Sequence, residues 1–278
     1  MSLTAFAIVL FAAALHATWN AIVKGAGDTT LTTILVATSA GVLAVIALPF
    51  LPVPASASWP YLGVATVLQV TYFSLVAAAY RATEMSTAYP LMRGLPPLLV
   101  AVIGSVFLGE RPSLGAWSGI ALVCGGVLSL ALHGRVGTGR RGVLLALANA
   151  AVIATYTLVD GTGVRLSGSP ASYTLWLTML TAVPLLLWVL GRRREEFIAF
   201  ARRQWPLGVA GGIATTVSYG LALWAMTTAP IAMVAALRET SIVFGTIIAA
   251  FVLRERMTPR RLIATGLVVA GAIVLRLA

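Results

Sequence analysis

The sequence predicts an all-α integral membrane protein with ten transmembrane helices, arranged as two inverted five-helix repeats around a central cavity. Three observations predict it. Of 278 residues, 59% are hydrophobic and 10% are charged, where a soluble domain carries about a quarter charged. The apolar residues gather into ten runs, each close to the roughly 20 residues that cross the hydrocarbon core of a bilayer. Finally, a short motif recurs after 145 residues, with Leu108-Gly109-Glu110-Arg111 aligned on Leu253-Arg254-Glu255-Arg256.

The ten runs cover residues 3–24, 30–50, 59–80, 86–108, 113–132, 141–162, 170–190, 205–228, 230–253 and 259–277. The first lacks a basic leader and stays apolar to about Lys24, so it reads as a span and not as a cleaved signal. Leu51-Pro52-Val53-Pro54 ends the second, Gly109-Glu110-Arg111-Pro112 ends the fourth, and Ser167 to Pro170 precede the seventh. Connections this short leave almost no extramembrane domain, so any function is expected inside the bundle.

The 145-residue shift also places Arg93 on Arg238, and a shift of 136 aligns Asn20–Gly25 with Tyr156–Gly161. Taken in chain order, these matches divide the chain into halves, 1–135 and 136–278. Five spans per half is an odd number, so the second half enters the membrane the other way up. Repeats of this kind build alternating-access carriers, with the solute site near the midplane between them.

Several classes are excluded. A single cysteine, Cys124, rules out a disulfide framework or a cysteine metal site. There is no glycine-rich phosphate loop, His-Glu-x-x-His or nucleophile elbow, so no catalytic residues, metal or cofactor are expected. The net charge of +11 could suggest nucleic acid. However, fourteen of the nineteen basic residues border the odd-numbered connections, among them Lys24, Arg81, Arg135, Arg193 and Arg254. That is a topology signal, which places the odd-numbered connections in the cytoplasm and both termini outside.

Two basic residues lie within spans, Arg93 in the fourth and Arg238 in the ninth, and ionisable groups at membrane depth mark functional sites by default. A guanidinium fork suits a carboxylate or phosphate. The structural alternatives pair Arg93 with Glu84, and Arg238 with helix carbonyls or a carboxylate. Glu239 would receive a solute ammonium, titrate as a proton-coupling group, or form a buried ion pair with Arg93 or Lys24. His16 and Asn20 share a face of the first span with Trp19 beside it. Tyr72, Tyr80, Tyr89, Tyr156, Tyr219 and Trp224 complete the candidate polar and aromatic lining, each with core packing as its alternative. Pro90, Gly94, Pro96 and Pro97 break the helix around Arg93 and mark a gate; the matching segment, Arg238 to Ser241, has no proline. Lys24 and Asp160 occupy matching positions near span ends, where snorkelling explains both. Glu110 and Glu255 are expected to cap the spans that follow them. Gly115, Gly119, Gly208 and Gly212 are expected to let helices approach closely.

The duplicated motif and its glycine-rich following span resemble the drug/metabolite transporter superfamily, EamA type, a group of ten-helix bacterial exporters. Leu15-His16-Ala17-Thr18-Trp19-Asn20-Ala21 and Ala88-Tyr89-Pro90-Leu91 fit the same resemblance, which spans essentially the whole chain. It implies cytoplasmic termini, against the charge count. The second half departs from the pattern at Arg254, opposite Gly109, and at Glu239, opposite Gly94.

Together these features predict an alternating-access carrier of a small polar metabolite in a bacterial-type inner membrane. Two arginines beside a carboxylate suit an amino acid or similar zwitterion, and resemblance to the family implies that it is exported. The alternatives are an antiporter of phosphorylated or phosphonate-bearing anions and a non-transporting membrane sensor or scaffold. The expected partners are the solute and the lipid bilayer, not nucleic acid, with proton coupling as an option and a monomer or weak dimer as the assembly.

Overall fold

A computed structural model describes residues 1–25, 28–131, 140–251 and 257–278, apart from the side chains of 21–25 and 85. Lys24, Arg135, Arg254, Glu255 and Arg256 therefore lie outside the described side chains. The described chain is helical, with α1 (Leu3–Gly25), α2 (Thr29–Ala47), α3 (Trp59–Ala82), α4 (Met85–Gly94), α5 (Pro96–Phe107) and α6 (Leu114–Ser129) in the first half. The second half contains α7 (Arg140–Leu166), α8 (Pro170–Arg192), α9 (Arg194–Met226), α10 (Ile231–Arg238), α11 (Ser241–Phe251) and α12 (Pro259–Leu277). Among the described residues, eight stretches are long and apolar enough to cross a membrane, counting α4–α5 and α10–α11 as one each. α6 is shorter at 16 residues, and α12 carries Arg260, Arg261 and Arg276.

Local chemistry sets the helix ends. Asp28, Ser113, Ser169 and Thr258 each accept a hydrogen bond from a first-turn amide of α2, α6, α8 and α12, satisfying donors that a helix start leaves free. Pro170 and Pro259 follow two of these caps, where a missing N–H costs nothing. Gly109, at φ 66°, turns the chain after α5 in the left-handed region. α9 starts at Arg194, well before the predicted 205. Its extra turns are held because Phe197 is buried with Leu31, Leu35 and Val189, and Phe200 packs against them.

The two broken helices are the main departure from ten continuous rods. α4 gives way to α5 at Leu95, and α10 gives way to α11 at Glu239–Thr240. α5 begins at Pro96 and α11 at Ser241, the same position under the 145-residue shift. The break after Arg238 thus forms without proline, so a proline-free segment is not a continuous one.

Helix packing follows the internal repeat. α3 packs on α7 as α9 packs on α1, and α3 packs on α8 as α9 packs on α2. α6 with α12, and α2 with α8, join equivalent helices of the two halves. Glycines permit the closest approaches. A Cβ at Gly119 would lie 3.0 Å from the Gly271 carbonyl oxygen, and one at Gly212 would lie 2.8 Å from the Ala40 amide.

Candidate functional site

A cavity of about 150 Å³ lies between the halves, lined from α1, α2, α3, α4, α7, α8, α9 and α10. Of the residues singled out in the sequence, His16, Trp19, Tyr72, Arg93, Tyr156, Tyr219 and Arg238 line it. Tyr89 and Trp224 do not, and Trp224 packs against the main apolar core instead. Asn20 is also outside the lining, because its Nδ2 donates to the His16 carbonyl at 2.7 Å. Gly94, Pro96 and Pro97 flank the break of the fourth span and Pro90 lies within α4, and none of the four is among the lining residues.

One wall is aromatic. Trp19 Nε1 donates to His16 Nδ1 at 3.1 Å, with the rings edge-on at 5.7 Å. Since Nδ1 accepts, the neutral imidazole carries its proton on Nε2. Tyr72 meets Tyr156 edge-on at 6.0 Å and Phe73 at 5.0 Å. Hydroxyl-bearing residues Thr33, Thr178, Thr181, Thr215 and Thr216 also line the cavity. Thr216 Oγ1 is buried without a hydrogen-bond partner.

The two arginines behave differently. Arg93 Nε donates to Glu239 Oε2 at 3.1 Å, and its Nη2 lies 2.9 Å from Oε1. This buried two-point ion pair joins the α4 end to the α10–α11 break, across the seam between the halves. Glu84 is not the partner of Arg93; it accepts from Ser86 at 3.2 Å. Arg238 instead stacks its guanidinium over the Tyr219 ring, with Cζ 5.0 Å from the centroid. Among the described residues no carboxylate lies within ion-pair distance of Arg238. Glu239 is buried and outside the cavity lining, so in this conformation it serves Arg93.

Two sequence expectations are corrected by the geometry. Asp160 does not snorkel to the interface. It is 0% exposed, because α7 continues past it to Leu166. Its Oδ1 accepts from Tyr173 at 3.0 Å, and its Oδ2 accepts from Gln69 Nε2 at 3.2 Å and from the Tyr219 hydroxyl. Glu110 does not cap the helix that follows it, since Ser113 does that. Its Oε1 accepts from the Ile231 amide at 2.9 Å, at the start of α10 in the other half. Arg165 Nη2 reaches the same oxygen at 3.3 Å and the Ala229 carbonyl at 3.0 Å, while its Nε donates to the Met226 carbonyl at 2.8 Å.

Sequence reasoning also missed Gln69, Thr178, Thr181 and Thr216. They are ordinary polar residues in apolar runs and gain meaning only from sharing one cavity.

A multi-pass helical membrane protein with a polar, aromatic-lined cavity between two similar halves has the architecture of a transporter. The chain belongs to the EamA-like transporter family, whose pattern matches twice, over residues 3–132 and 140–277. Membership is in a family of transporters and not of enzymes. A solved crystal structure aligns with 99% of this chain and 96% of its own, with TM-score 0.73 and 20% identity, a likeness of fold. No curated protein matches the chain.

Proposed function

We propose that the chain exports a small carboxylate-bearing metabolite, an amino acid or similar zwitterion, by alternating access across a bacterial-type inner membrane. The observation that carries this reading is the Arg238 guanidinium, which lines the cavity with a ring beneath it and no described carboxylate beside it. A carboxylate group would dock there through paired charge-assisted hydrogen bonds. The ammonium end would meet the faces of Trp19, Tyr72 and Tyr156 by cation–π attraction and the threonine hydroxyls by hydrogen bonding.

In this reading the ten spans form two inverted repeats, 1–135 and 136–278, which rock about the cavity. The symmetric helix packing and matched breaks support it. The Glu110–Arg165–Ile231 contacts close the end that carries the chain termini. Thr33, four residues into α2, brings the lining toward the other end, where the odd-numbered connections lie. Charge counting makes that end cytoplasmic. Arg93 is occupied by Glu239, so one guanidinium and not two is offered to solute. That favours a single carboxylate over a phosphate gripped by both arginines.

Counterflow in liposomes tests the proposal. Purified protein loaded with unlabelled amino acids should accumulate at least one labelled counterpart. Exchange of phosphorylated solutes alone would support the antiporter instead, and no exchange across a broad panel would leave the sensor or scaffold.

A further inference from the structure

Asp160 is a buried carboxylate without a cation in hydrogen-bond contact. Its three hydrogen-bond neighbours, Gln69, Tyr173 and Tyr219, are all neutral donors. They come from α3, α8 and α9, while α7 supplies the acid, so four helices from both halves converge on one acid. An ionised carboxylate only accepts, and this donor set fits it. The surroundings favour no other occupant. Asp160 is fully buried and is not part of the cavity lining, so a solute ammonium has no direct route to it. A proton does, because the Tyr219 side chain both lines the cavity and donates to Oδ2.

We propose that Asp160 is a proton-binding site, loaded from the cavity through the Tyr219 hydroxyl. A proton from cavity water adds to Tyr219 Oη as the proton already on that oxygen passes to Asp160 Oδ2. The phenol is regenerated, the carboxylate becomes a carboxylic acid, and the new acid O–H donates back to Oη. Tyr219 can make this reversal because a hydroxyl both donates and accepts. Gln69 cannot, since Thr181 Oγ1 donates to its Oε1 at 3.4 Å and fixes its amide toward Asp160. Gly163 keeps space for the third donor: a Cβ there would lie 2.5 Å from the Tyr173 hydroxyl.

The charged and titratable groups around the site are few. α9 presents Tyr219, α8 presents Tyr173, and α10 presents Arg238, whose charge acts on Asp160. α3 contributes Gln69, Tyr61 against Gly163 and, further along, Tyr72, while α4 contributes Tyr89 and Arg93, the latter paired with Glu239. α5 has no titratable residue, and α7 itself adds Tyr156 and, past the site, Arg165. Arg238 has no ion-pair partner among the described residues, and it rests on the ring whose hydroxyl binds the acid. Neutralising Asp160 removes the negative charge behind that ring and leaves the guanidinium uncompensated toward the cavity. Proton and carboxylate solute then bind cooperatively, each raising the affinity of the other. That last step rests on the proposed carboxylate solute; the proton site itself does not.

The test is infrared difference spectroscopy between alkaline and acidic buffer, on full-length protein in liposomes with the proton as the only ligand. Aspartate labelled with carbon-13 narrows the band to the chain's two aspartates, Asp28 and Asp160, and substitution then decides between them. The expected result is a protonated-acid carbonyl band that shifts with the label, persists in Asp28→Asn and is lost in Asp160→Asn. No label-shifted band, or one lost in Asp28→Asn and kept in Asp160→Asn, overturns the proposal. Should Asp160→Asn fail to fold, the labelled unmutated protein and Asp28→Asn decide between the two residues. Failure of counterflow with an intact band would refute the solute reading and leave the proton site standing.

Discussion

Arg93 and Glu239 form a buried ion pair between the breaks of two equivalent helices, with Nε–Oε2 at 3.1 Å and Nη2–Oε1 at 2.9 Å. Each belongs to a different half, so the contact binds the two repeats at the point where their backbones are least regular. A rigid-body movement of one half against the other must strain or break it.

The pair should therefore be costly to halve and cheaper to remove. Glu239→Gln leaves a buried guanidinium without its counter-charge, at a cost of about 3–5 kcal/mol. Replacing both residues with methionine should recover much of that loss in thermal unfolding of the detergent-purified protein. A double variant as unstable as the single one would contradict the account.

Arg238→Gln removes the cavity's free guanidinium while leaving Tyr219 in place. Losing a charge-assisted hydrogen bond costs about 1.5–3 kcal/mol, so solute affinity in counterflow should fall at least tenfold. Arg238→Lys should restore it only in part, because an ammonium lacks the planar fork. Unchanged half-saturation in Arg238→Gln would remove this residue from the site.

The Glu110 contacts with Arg165 and Ile231 should bias which end is closed. In Glu110→Ala, a maleimide should label Ala229→Cys several-fold faster than in the unaltered latch, with Cys124→Ser as the background. The change expected from losing 1–3 kcal/mol of coupling is about 5–150-fold in the open population. Equal labelling rates would mean that the contact is structural only.

Outside the membrane, Asp28 caps α2 and accepts from Arg193 Nη2 at 2.9 Å. Burial tends to raise its carboxyl, but the Leu31 amide and the Arg193 guanidinium outweigh that and hold it below its usual value. A depressed carboxyl stabilises the fold above the usual carboxylate range and loses that contribution as pH falls through the depressed value. Thermal stability should thus decline below about pH 4 more steeply in the parent than in Asp28→Asn. Parallel declines would count against this contact.

The ten runs and the duplicated motif were legible because span length and a repeat at fixed offset are properties of the linear chain. Arg93 and Arg238 stood out for the same reason, as charges inside apolar windows. The Arg93–Glu239 pair was legible as one of the alternatives for Glu239, but the choice among them was not, because the two residues lie 146 apart and meet only in the fold. Asp160 looked like an interfacial residue because the predicted span ended at 162, whereas α7 runs to Leu166. Its donors come from three other helices, and tyrosine or glutamine in an apolar run gives no sign of where its polar tip points. Glu110 showed its helix-capping chemistry in the sequence. The helix it caps lies in the other half, which only the tertiary fold reveals.

The central claim is that solute sits between the halves with its carboxylate on Arg238. A structure of the protein bound to the solute it exchanges in counterflow tests this most directly. Density within hydrogen-bond distance of Arg238, flanked by Trp19, Tyr156 and Tyr219, is the predicted result. Density anywhere outside that cavity, or within it but away from Arg238, would contradict the account.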